Sequence, residues 1–66
     1  MVVKVIELVG NSHHNWTDAV DNAVSEASKT IDNILGIEVT NFTANVNDGH
    51  IVEYRADVKL AFKVKN

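Results

Sequence analysis

From Val52 to Val64 the chain alternates apolar and mostly charged residues without a slip. Val52, Tyr54, Ala56, Val58, Leu60, Phe62 and Val64 fall on one face. Glu53, Arg55, Asp57, Lys59 and Lys63 fall on the other, with Ala61 the one apolar exception. A period of two sustained this long predicts a strand with one buried face. At a rise of about 3.3 Å per residue the strand spans roughly 43 Å. A compact domain of this length has a radius of gyration of only about 11 Å. The strand outruns its own subunit, so either it bends sharply or neighbouring chains bury its ends.

Three further elements precede it. Val2 to Val9 is rich in Val, Ile and Leu at both parities, which predicts a strand covered on much of both faces. Gly10 to His14 reads as a polar connection, and Asn15 as a helix N-cap with Asp18 and Asp21 placed well in the first turns. Apolar residues then recur at three- and four-residue steps: Trp16, Ala19, Val20, Ala23, Val24, Ala27, Ile31 and Ile34. This predicts one amphipathic helix of about five turns, Ala-rich in its middle and ended by Gly36. Ile37 to Val46 predicts a second strand whose parity changes between Val39 and Phe42. A one-residue slip flips faces, so a β-bulge is expected near Thr40 and Asn41. Asn47-Asp48-Gly49 predicts a tight hairpin turn.

The order is therefore β-α-β-β, an α+β domain over residues 1–66. A right-handed crossover sets the first two strands parallel. Inserting the third between them gives a three-stranded antiparallel sheet of order 1-3-2, with the longest strand central and two exposed edges that invite pairing with copies of itself.

Composition bears on how such a domain is stabilised. A chain of 66 residues buries a modest share of its surface and draws on disulfides, a metal or oligomerisation. It contains no Cys, which removes disulfides and thiolate zinc sites and fits a reducing, cytoplasmic setting. Yet 45% of its residues are hydrophobic, so oligomerisation is the expected remedy. The opening MVVKVIELVG carries Lys4 and Glu7 within a short apolar stretch and is not read as a signal peptide. No apolar run is long enough to span a bilayer, and a net charge of -3 argues against a nucleic-acid partner.

Little in the sequence points to catalysis. No nucleophile-base pair, Gly-rich phosphate loop or paired catalytic acids can be assembled, so no enzyme is expected. His13 and His14 are adjacent, not spaced as a helical metal pair, and read as loop residues or a site on a symmetry axis. His50 follows the turn and reads as solvated. Trp16 reads as a core or interface anchor. Arg55 has two readings: an ion pair with Glu53, Asp57 or a neighbouring chain's Glu38, or an anion contact, since a guanidinium suits phosphate.

The segments VKVIELVGNS, AVDNAVSEASKTIDNI, IEVTNFTANVNDG and IVEYRADVKLAF, in this order and spacing, resemble the dodecin family over essentially the whole chain. The resemblance implies a sheet wrapped on the helix and a homododecameric hollow shell. It also implies a small-molecule ligand, stored or quenched without catalysis. In the best-known members the ligand is a flavin (riboflavin, FMN or FAD), stacked in pairs between aromatic side chains near a twofold axis. Some members are linked to coenzyme A or metal ions. Carried over residue by residue, the implied ligand-contact positions are Gly36, Arg55, Glu38, Asn41 and Asn45. The family's stacking Trp falls at Gly36 and its flavin-bonding Gln at Arg55. Glycine offers no ring, and arginine has donors but no acceptor. The alternative expectation is a flavin-free homologue with a structural, ion-binding or coenzyme A-like role.

Overall fold

Residues 1–65 are described by a computed structural model in which β1 (Val3–Ser12), α1 (Trp16–Ser28), β2 (Ile34–Asn47) and β3 (His50–Lys63) follow in that order. β3 lies between β1 and β2 and pairs antiparallel with both, the 1-3-2 order expected from the alternating pattern. The Asp48 and Gly49 turn has positive φ at both central residues, 53° and 78°, which matches the right-handed twist of a two-residue hairpin. The pairing of β2 with β3 shifts between Val39 and Asn41, so Thr40 is the bulged residue. Further shifts fall between Ile34 and Gly36 and between Asn45 and Val46. Across the central bulge, Val39 and Phe42 return to the same side of the sheet despite the odd spacing.

The helix departs from expectation. α1 has 13 residues, about three and a half turns instead of five. Its end is tightened by bonds from Lys29 N to the Glu26 carbonyl and from Thr30 N to the Ala27 carbonyl, both 3.2 Å. Asn33, at φ 60°, then turns the chain into β2, and its carbonyl accepts from Lys63 N at 3.0 Å. Asn tolerates the left-handed region better than most residues, and it does here what Gly36 was expected to do. Gly36 is not a helix cap: it sits in β2 opposite Ala61. Ile31 and Ile34 continue the helical spacing, yet they lie beyond the helix.

β1 extends past Val9 through Gly10 to Ser12, so the expected polar connection begins later. The reason is at the helix. A Cβ on Gly10 would collide with the Ala19 carbonyl oxygen and come within 2.9 Å of the Ala23 Cβ. A glycine in β1 thus lets α1 lie close on the sheet. Ser12 is buried: its hydroxyl donates to Asp18 Oδ2 at 2.7 Å and accepts from His14 N at 2.9 Å. Asn15 caps α1, its Oδ1 accepting from Asp18 N at 2.7 Å. The helix lays Ala19, Ala23 and Ala27 over Ala56, Val58 and Leu60, and these six form the buried apolar core among the described residues. The described chain measures 51 × 20 × 12 Å, with a radius of gyration of 13.5 Å. The long hairpin therefore projects well past the helix.

Candidate functional site

Because Ala56, Val58 and Leu60 face α1, strand alternation turns Glu53, Arg55, Asp57, Lys59 and Ala61 to the opposite face. Their register partners there are Asn45, Thr43, Asn41, Glu38 and Gly36 on β2. On β1, Asn11, Val9, Glu7 and Val5 pair with Arg55, Asp57, Lys59 and Ala61. No helix covers this face. All five candidate ligand-contact residues lie along it, in two separate groups.

The first group surrounds Gly36. An open concavity of about 570 Å³ is lined by Val5, Gly36, Ile37, Glu38, Lys59 and Ala61. A Cβ added at Gly36 would meet no atom within 4 Å, so the missing side chain leaves open space, not a packed gap. The floor is apolar, and Glu38 and Lys59 stand opposite one another in register. Lys59 also faces Glu7 on its other side. A second concavity of about 520 Å³ adjoins it, between Glu7, Val9, Thr40, Asp57 and Lys59.

The second group is a closed polar triangle. Arg55 Nη1 donates to Glu53 Oε1 at 3.0 Å, and Arg55 Nη2 donates to Asn45 Oδ1 at 2.7 Å. Asn45 Nδ2 completes it by donating to the same Glu53 oxygen at 3.2 Å. Of the partners considered for Arg55 within the chain, Glu53 holds it and Asp57 does not. Asn41 lies between the groups, its Oδ1 accepting from Phe42 N at 3.1 Å beside the bulge. Thr40 donates its hydroxyl to the Asp57 carbonyl at 3.1 Å.

The two groups do not meet within one subunit. Gly36 pairs with Ala61, which lies six residues from Arg55 along β3 and hence about 20 Å away. A flat ligand of ordinary size reaches one group or the other, not both.

The sequence did not reveal that three aromatics converge on the helix-facing side of the hairpin. Trp16 stands edge-on to Tyr54 and Phe42, with ring centroids 4.9 and 6.2 Å apart. Its indole nitrogen donates to the Thr43 carbonyl at 2.9 Å. The signal was available, since Phe42 and Tyr54 share the helix-facing parity and Trp16 opens the helix. Nearby, the His13 ring nitrogen Nδ1 lies 3.1 Å from the Val52 carbonyl, tying the connection after β1 to the start of β3. At the far end of α1, Lys29 titrates above its ordinary value because it donates a hydrogen bond to Glu26. That pair is fully solvated. Among the described residues no three His, Asp or Glu side chains converge to hold a metal ion within one subunit.

Comparison with known proteins covers nearly the whole chain. Residues 2–65 match the family model described as Dodecin. The calcium dodecin of Mycobacterium tuberculosis is 30% identical over 64 residues, spanning 97% of this chain and 90% of that protein. Among solved structures, dodecin from Streptomyces coelicolor superposes with a TM-score of 0.96 at 32% identity, covering 98% of this chain and 93% of that one. The M. tuberculosis structure, described as a calcium-chelating antigen with a novel calcium-binding site, gives a TM-score of 0.87 at 29% identity over 98% of this chain and 93% of that one.

Proposed function

The chain belongs to the dodecin family of small, non-enzymatic ligand-binding proteins, and on that premise we propose that it assembles as a homododecameric shell holding a small ligand between subunits. The observation that carries this reading is the separation of the two groups on the uncovered sheet face. Gly36 and Glu38 lie near one end of β2, while Arg55 and Asn45 lie near the other. A ligand touching both kinds of position is held by two copies of the chain, so the site is complete only in the assembly. The concavity at Gly36 supplies an apolar floor from Val5, Ile37 and Ala61.

The ligand is not a flavin clamped by ring stacking. An aromatic contact adds about 0.5 to 1.5 kcal/mol beyond the area it buries, and Gly36 contributes neither. Arg55 has no acceptor with which to replace an amide's paired hydrogen bonds. A calcium role, as named for the M. tuberculosis relative, would have to draw ligands from several subunits, because no cluster of three forms within one among the described residues.

Two measurements test the reading. Native mass spectrometry is expected to find a particle of about 88 kDa, twelve copies of 7.3 kDa; a monomer in dilute solution would overturn the shell. Flavin titration is expected to show no saturable quenching of flavin fluorescence by the wild type. Gly36→Trp with Arg55→Gln is expected to create it, since the ring enters open space. Absence of quenching in that variant, with its mass intact, would refute the placement of the ligand at these positions.

A further inference from the structure

We propose that Glu53 sets the charge preference of the ligand site: by holding Arg55 it makes the site take an uncharged or cationic ligand and turn away a phosphorylated one. This rests on the reading above that Arg55 faces the ligand in the assembly.

Arg55 is the one guanidinium in the chain and the group best shaped to receive a phosphate. Both of its terminal nitrogens are engaged, by Glu53 at 3.0 Å and by Asn45 at 2.7 Å. The triangle is closed, because Asn45 also donates to the Glu53 oxygen that Arg55 uses. A phosphate that takes the three remaining N–H donors of Arg55 meets the Glu53 carboxylate beside it, and one that displaces Glu53 strands that carboxylate next to the incoming anion. With Arg55 and Glu53 respectively 32% and 28% exposed, solvent only partly screens that repulsion.

The rest of the face is net negative. It carries four acids, Glu7, Glu38, Glu53 and Asp57, against three bases, Arg55, Lys59 and Lys63, the last opposite Val3 at the far end of β3. Lys59 lies in register between Glu7 and Glu38, while Arg55 is the base of this face that a carboxylate holds in an ion pair. A phosphate monoester brings nearly two negative charges at neutral pH and meets a surface already net negative. An uncharged ring system or an organic cation meets no such barrier. Asn45 and Glu53 thus act as specificity-determining residues by engaging one N–H on each terminal nitrogen of Arg55 and by setting a carboxylate beside the others.

Inorganic phosphate is the probe, titrated calorimetrically into wild type, Arg55→Gln, Glu53→Gln, Glu53→Ala and Glu53→Gln with Arg55→Gln, each checked by native mass. Wild type is expected to show no saturable uptake. Glu53→Gln keeps a neutral acceptor but removes the charge, and is expected to bind phosphate saturably, at least about tenfold more tightly than the upper bound that the wild-type titration sets. Glu53→Ala removes the acceptor as well and is expected to gain more. Adding Arg55→Gln is expected to abolish the gain. Saturable binding by wild type that Arg55→Gln removes would overturn the proposal. So would no gain in either Glu53 variant, or a gain that survives loss of Arg55. A wild-type mass below the twelvefold value strikes the shell reading instead, so the two failures are distinguishable.

Discussion

Two glycines look alike in the sequence and are opposite in the structure. Gly10 lies against α1 on β1, where an added Cβ collides with the Ala19 carbonyl oxygen. Gly36 is surrounded by open space. Gly10→Ala must push the helix off the sheet, and overpacking of this kind destabilises by about 1 to 3 kcal/mol. Gly36→Ala removes backbone freedom from the unfolded chain and clashes with nothing, so it is expected to be neutral or to stabilise by up to about 1 kcal/mol. Urea midpoints at matched protein concentration check both, since an assembly's apparent stability depends on concentration. The sequence placed neither residue correctly. The polar residues after Gly10 predict a connection; yet Ser12 is polar and buried, satisfied by Asp18 and the backbone of His14. The apolar stripe running up to Gly36 predicts a helix end there, but Asn33 carries the left-handed turn. A single residue's conformation is decided by what packs against it, which one chain's pattern does not encode.

Elements were more legible than residues. The sheet order, the two-residue turn and the bulge at Thr40 all follow from hydrophobic parity, because a strand has only two faces and every slip shows. The helix start was equally plain, since Asn15 has a capping side chain at the right spacing. Asn15→Ala is expected to lose about 1 kcal/mol of stability, again read from urea midpoints; an unchanged midpoint would mean the cap bond is replaced by water at no loss. The helix end was misplaced because Ile31 and Ile34 fall on the continuing apolar stripe, and periodicity does not distinguish a fourth turn from a return to the sheet. On the candidate site, the five positions were legible only through family resemblance. The Arg55–Glu53–Asn45 triangle was half legible: the ion pair was one of the readings, but Asn45 is brought in by cross-strand register.

The shape of the whole molecule is what asks for partners. A compact monomer of 7.3 kDa exposes about 4,200 Å², and this subunit exposes 4641 Å². Among the described residues its buried apolar set is four alanines plus Val58 and Leu60, a thin core for a chain rich in Val and Ile. The missing burial is visible at the ends. Val46, Ile51 and Val52 project at the hairpin tip, and Val2, Val3, Val5 and Leu35 stand exposed toward the other end. α1 reaches about 20 Å at 1.5 Å per residue, while the described chain is 51 Å long, so no rearrangement of one helix covers both ends. Copies of the chain can cover them, and the proposed shell makes a specific prediction here. Val46→Asp with Val52→Asp leaves the six core residues and the aromatic triad untouched, yet places two charges per subunit at the tip. Native mass is expected to fall from about 88 kDa toward the 7.3 kDa subunit, because a buried, unpaired carboxylate at each repeated contact opposes association. Circular dichroism on the same sample is expected to show partial loss of structure, as a core this thin does not sustain the subunit alone. If the mass stays twelvefold, the tip is not an interface, and the overhang of the long strand needs a different explanation.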